Sequence, residues 1–326
     1  MRLAAGSQNQ YPKKYQHPDM LARVADAVFW TARYMERTDN ILRALRTNYI
    51  ASQDEVSEFD WQPWVRLYGP PEEKLQIEIA SYRDVINYLI LSRQHDASVF
   101  SYIVRARENA RSIQDFITKE LWQCLNDYYH LIRNPHTEQL LLNDDPVTAM
   151  DNLLRESTFF YGTVDTTMGR GEGYTFLNLG KFIERALQSL DLLSMQLDVI
   201  PKGAVESVQW KYLLYSLSGY EFHGKYYKNS LLTNDVIHQV LYNTQFPHSV
   251  LYSLIQTERY FKRLEPISQQ DHFKEIEYAI GKAVNDLKYS SVNSQNADDI
   301  HELFNKSRQE VITIGQKLAT LYFGYS

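Results

Sequence analysis

The chain has 326 residues, 44% of them hydrophobic, with a formal charge of −6. This length and apolar content support a sizeable core and exclude disorder for most of the sequence. The acidic balance argues against a general nucleic-acid or anionic-membrane binder.

Cys124 is the only cysteine. An internal disulfide and a thiolate metal site are therefore excluded, and a reduced compartment fits best. No stretch approaches the ~20 apolar residues that span a bilayer. The expectation is a soluble, cytoplasmic protein. Residues 1–19 are polar, lack the apolar segment of a signal peptide, and read as a disordered extension.

Met20 to Tyr49 contains no Gly or Pro and predicts one long helix behind Pro18-Asp19, Asp being a good N-cap. Leu21, Val24, Val28, Met35, Leu42, Leu45 and Tyr49 form an apolar stripe at three- and four-residue steps. Arg23, Asp26, Phe29, Trp30, Arg33, Glu36, Arg37 and Asn40 share the opposite face. A mixed-charge face is ordinarily solvated. Phe29 and Trp30 in its middle predict instead that something covers it.

Residues 51–71 read as a loop with aromatic anchors, Trp61 and Trp64, and with room for a short helix. Helices are predicted over about 72–92 and 97–131. Residues 133–145 read as a turn region and 146–160 as a helix. Gly162 to Gly173 reads as a Gly-rich loop. A second long helix is expected from about Tyr174 to Val199, followed by helices at about 204–229, 234–243, 248–264, 270–289 and 298–322. Strand-period alternation is scarce, so the fold class is all-α, a helical bundle with short connections.

The second long helix echoes the first. Arg33-Tyr34-Met35-Glu36-Arg37 matches Lys181-Phe182-Ile183-Glu184-Arg185 in residue class at every place. The match continues in order through Trp61 and Trp210, Val85-Ile86 and Val236-Ile237, Ser98-Val99 and Ser249-Val250, and Ile103 and Leu254. Two related halves are expected, roughly 20–160 and 174–322. Halves packed about a pseudo-twofold axis would pair Glu36 with Arg185 and Glu184 with Arg37. Unpaired burial of such ions would cost several kcal/mol each. A third polar cluster, Arg105, Arg107, Glu108, Asn109, Arg111 and Asp115, is at helical spacing and is a candidate to join the same centre.

The stretches MLARVADAVFWTARYMERTDN, RARENARSIQDFITKELWQCLNDYY and MGRGEGYTFLNLGKFIERA resemble the Alpha-E family, from about residue 20 to the end. That family is a bacterial all-helical domain named for a Glu-Arg motif and typically duplicated. The resemblance carries the motif onto Glu36, Arg37, Glu184 and Arg185, and implies that Lys181 stands where Arg is frequent. It implies association with circularly permuted ATP-grasp ligases, transglutaminase-like proteins and an N-terminal-nucleophile peptidase, in a peptide synthesis or modification system.

The chemistry readings are sparse. No Glu-x-x-His occurs. Asp127-x-x-His130, Asp235-x-x-His238 and Asp298-x-x-His301 do occur, but in residue types common at helix ends, and no metal or cofactor is expected. Gly169-Arg170-Gly171-Glu172-Gly173 lacks the strand and Gly-Lys-Ser/Thr of a phosphate loop. Cys124 reads as a packed core thiol. Glu36 and Glu184 are the only candidates for acid/base work, and the adjacent arginines favour the ionised carboxylate. The candidate ligand-binding or ion-pair cluster is Arg33, Glu36, Arg37, Asn40, Arg107, Glu108, Arg111, Lys181, Glu184 and Arg185. Two functions remain open. One is a non-catalytic partner of an ATP-grasp ligase, holding a peptide or carboxylate ligand at most. The other is an enzyme of the same pathway using a Glu/Arg-lined cavity.

Overall fold

The absence of helix breakers between Met20 and Asp54 has its structural counterpart in α1, Ala22–Asp54. The computed structural model describes residues 20, 22–54, 59–69, 81–199, 207–228, 230–290 and 297–325. The extension of residues 1–19 and Leu21 lie outside the described residues. Fourteen α-helices and no β-strand occur among those described.

After α1 come α2 (Gln62–Tyr68), α3 (Tyr82–Ile86), continued as a π-helical turn, α4 (Val99–Ser112), α5 (Lys119–Ile132), α6 (Pro135–Leu142) and α7 (Pro146–Thr167). Then follow α8 (Glu172–Val199), α9 (Ser207–Ser216), α10 (Tyr220–Tyr226), α11 (Thr233–Leu241), α12 (Val250–Phe261), α13 (Gln270–Lys288) and α14 (Ala297–Tyr322). Helices α1, α4, α5 and α7 pack in a ring, each against the next and α7 back on α1. Helices α8, α12, α13 and α14 close a second ring in the same order. The two four-helix groups meet along α1 and α8, and α2 crosses onto α8 as α9 crosses onto α1.

The long helices run parallel. The Met20 N–H donates to Glu172 Oε2, and Arg185 donates to Glu36. Between these contacts Gly180 lies against Phe29, where a Cβ would stand 2.3 Å from the Phe29 carbonyl oxygen. Glycine at this point is what lets the two backbones touch. Both faces of α1 are consequently covered. Val24, Val28, Met35, Leu42 and Leu45 are buried on one side, and Phe29 on the other. Phe29 lies edge-on to Trp30 and 5.1 Å from Phe323. The two ends escape, with Arg23 exposed in the first turn and Ile50 and Gln53 near the last.

Four local expectations are corrected. The helix expected over 97–131 is two antiparallel pieces. Thr118 caps α5 by accepting from the Leu121 N–H at 3.2 Å, and the chain reverses between Ile113 and Ile117. Apolar spacing continues across the bend because Ile113 is itself buried, which hid the break. The 133–145 turn contains α6, started by Asn134 and Pro135, a common N-terminal arrangement. The Gly-rich loop is four residues long, 168–171, because α7 runs on to Thr167. Gly162 meets no strain inside that helix, and Thr166 and Thr167 bond back to carbonyls of the preceding turn. The segment 204–229 breaks after Ser216, where Ser218 has φ 53°.

Ser98 and Ser249 occupy matching places at the starts of α4 and α12. Each accepts from the N–H three residues on, at 3.0 Å, and each is fully buried. Loss of an N-cap costs about 1 kcal/mol. Ser98→Ala and Ser249→Ala should each lower stability by that amount in chemical denaturation. The double variant should show the sum, since distant sites add.

Candidate functional site

The α1–α8 crossing places the two Glu-Arg pairs opposite each other, two turns beyond Phe29 on α1 and one turn beyond Gly180 on α8. Glu184 receives Arg33 Nε at 2.6 Å, and Arg37 through Nε at 2.7 Å and Nη2 at 3.1 Å. Gln188 adds an Nε2 donor at 3.3 Å. Across the pair, Arg185 clasps Glu36 with Nη2 at 2.7 Å and Nε at 3.0 Å, and its Nη1 donates to the Pro247 carbonyl at 3.3 Å. These bidentate forks are the strongest form of this contact. Glu36 and Glu184 are 3% and 4% exposed, so their arginines act in a poorly screened interior.

The electrostatics follow from this geometry. Burial pushes the Glu184 carboxyl up, but Arg33 and Arg37 together outweigh it and hold it down at about 2. Burial also opposes ionisation of Glu36, and Arg185 with Lys181 again brings it below the ordinary range. Both carboxylates stay ionised, Glu184 holding three guanidinium hydrogen bonds and Glu36 two.

The pairs are not equivalent in detail. Arg33 bonds Glu184 directly. Lys181, its counterpart, rests its Nζ 4.1 Å over the Tyr161 ring and makes no ion pair within 4 Å among the described residues. Burial and then repulsion from Arg185 lower the Lys181 amine to about 8. An amine with 8 folded and 10.5 unfolded gains stability as pH rises between those values, because the unfolded chain binds the extra proton. Wild-type stability should therefore improve by about 2–3 kcal/mol, relative to Lys181→Met, between pH 8 and 10.5. Paired denaturation curves at the two pH values check this.

Around the pairs lie residues that the motif did not reveal. Asp39 is held by Arg43 at 2.7 Å, and Arg43 also donates to Ser218 Oγ at 2.8 Å. Asp191 receives Arg308 Nε at 2.6 Å. His248 is held neutral, first by burial and then by Arg185, Arg43 and Lys181. Asn40 accepts from the Tyr68 hydroxyl at 2.5 Å. The Asp39–Arg43 spacing of one turn was visible in the sequence. Asp191–Arg308 joins distant helices and had no local signal.

Arg107, Glu108 and Arg111 do not join this centre. With α5 folded back, Arg107 donates to Asn126 at 2.9 Å and lies 4.5 Å over Tyr129. Glu108 takes Arg107 at 2.9 Å and Arg111 at 2.8 Å. This third cluster therefore ties α4 to α5, and Arg111 pairs with Glu108 where the spacing had offered Asp115. Among the described residues no three His, Cys, Asp or Glu side chains gather as a metal ion would need. Cys124 is buried, and burial lifts its thiol to about 12. No described helix is long and apolar enough to cross a membrane.

An all-helical chain whose two central helices exchange glutamate–arginine contacts defines a recognisable class. The family model Alpha-E, described as a predicted alpha-helical domain with a conserved ER motif, matches residues 20–323. The chain belongs to that family. No curated protein and no solved structure matches it.

Proposed function

We propose that this protein is a non-catalytic component of a peptide synthesis or modification system, acting beside a circularly permuted ATP-grasp ligase and transglutaminase-like proteins. Its Glu-Arg motif locks together two halves related by internal duplication. The observation that carries the non-catalytic reading is the engagement of both motif carboxylates by arginines of the opposite long helix. A carboxylate held near pH 2 by two guanidiniums is a weak base and is never an acid at neutral pH. The recurrence of ring order, and of the Ser98 and Ser249 caps, supports the duplication. The partners are those implied by the family resemblance.

The enzyme reading draws on a cavity of about 250 Å³ lined in part by Arg37 and Glu184. It is the weaker of the two, because Glu184 is already engaged by three side chains. The test is co-purification of the ligase with wild type and with Glu36→Gln. Loss of the complex from a variant with wild-type circular dichroism supports the proposal. A complex that never forms with wild type contradicts the partner assignment, and turnover of a peptide by the isolated chain contradicts the non-catalytic reading.

A further inference from the structure

Beside Glu184, α2 stands off from α8 and leaves the cavity of about 250 Å³. It shares Leu67, Asp191 and Arg308 with an adjoining compartment of about 490 Å³ that follows α8 toward Val199. Ligand sites span roughly 300–1,000 Å³, so the two compartments together have room for a short chain.

Three lining groups keep unused hydrogen-bonding capacity among the described residues. Asn40 spends Oδ1 on the Tyr68 hydroxyl, which leaves the Nδ2 donors. Arg308 is anchored to Asp191 through Nε, which leaves both terminal NH2 groups, and its side chain is 47% exposed. Gln188 gives Nε2 to Glu184, which leaves Oε1 as an acceptor. The floor thus offers donors for an anionic oxygen beside an acceptor for an N–H. Carboxylates of Glu184 and Asp191 also line it. They would repel a dianion such as phosphate far more than a singly charged group.

The cavity on the other side of the seam is a useful contrast. It measures about 290 Å³ and is lined by Arg43 and Arg46. There Arg43 is spent on Asp39 and Ser218, and Arg46 grips Asp151 with Nε and Nη2. Its charges answer each other.

We propose that the α2–α8 cavity binds the C-terminal end of a short peptide. The terminal carboxylate meets Arg308 and Asn40, a backbone N–H meets Gln188 Oε1, and the chain continues into the larger compartment. The site does not depend on the ligase partnership and stands if that partnership fails.

The experiment is calorimetric titration of the full chain with N-acetylated dipeptides ending in leucine, tyrosine, serine or glutamate, each as free acid and as C-terminal amide. At least one acid should bind saturably, at least tenfold tighter than its amide. Arg308→Met should weaken that acid at least tenfold and leave the amide unchanged. Ala97→Trp, which fills the cavity from its wall, should abolish binding. Arg46→Met across the seam should change nothing. Absence of saturable binding by every acid overturns the proposal. So does equal affinity for acid and amide, or wild-type binding by Arg308→Met or by Ala97→Trp.

Discussion

Gly180→Ala should destabilise the protein by about 1–2 kcal/mol net, although alanine in a helix interior ordinarily gains about 1 kcal/mol over glycine. The added Cβ would sit 2.3 Å from the Phe29 oxygen, 3.1 Å from its carbonyl carbon and 3.3 Å from its Cα. The obstacle is backbone, so no rotamer change relieves it. Either α1 and α8 separate, loosening every contact along the seam, or one helix bends. Overpacking in a filled core costs about 1–3 kcal/mol and occasionally more. Gly180→Leu should fail to fold. Gly162→Ala is the matched control, because nothing lies within 4 Å of a Cβ there and propensity alone should act. Denaturant midpoints for the three variants decide the matter. A stabilised Gly180→Ala would show that the helices do not touch at this point.

Glu184→Ala is expected to cost about 3–5 kcal/mol, the range for breaking a buried pair from one side. Two cations would be stranded, Arg33 at 12% and Arg37 at 26% side-chain exposure. The loss comes from their desolvation, so Glu184→Gln, which retains an acceptor oxygen, should be milder. The same residue shapes the acid limb. Its folded value near 2 lies below the unfolded 4.5. The stabilisation is therefore complete above pH 4.5 and disappears as pH falls toward 2. That shift corresponds to about 3 kcal/mol. Between pH 5 and pH 2.5 wild type should lose about 2 kcal/mol more than Glu184→Gln, the part of that shift titrated in this interval, as measured by denaturation. Raised carboxyl values at Asp39 and Asp191, caused first by burial, act in the opposite sense. The Asp39 contribution is present in both proteins and cancels, whereas Asp191 is raised in part by Glu184 itself and is relieved by the substitution.

The long helices and their cross-pairing were legible because the sequence repeats Arg/Lys-x-x-Glu-Arg at a fixed interval. Phe29 and Trp30 announced a covered face. The second long helix was the expected cover, but the part taken by Phe323 was not legible, since it approaches from the far end of the chain. Apolar periodicity concealed the reversal between α4 and α5, and this error moved Arg107 and Arg111 into the wrong neighbourhood. Local spacing identifies a face but not its direction once a hidden turn intervenes. The cavity beside Arg37 also escaped, because its groups come from α1, α2, α4, α8 and α14 and share no local pattern.

A double-mutant cycle on Glu36→Gln and Arg185→Met measures the cross-helix pairing most directly. Each single change should be costly, and the double change should cost clearly less than their sum. The expected coupling is about 2 kcal/mol or more, within the range for residues sharing one buried network. Additive losses, with coupling below about 0.5 kcal/mol, would show that the two long helices are held together without their ionic exchange.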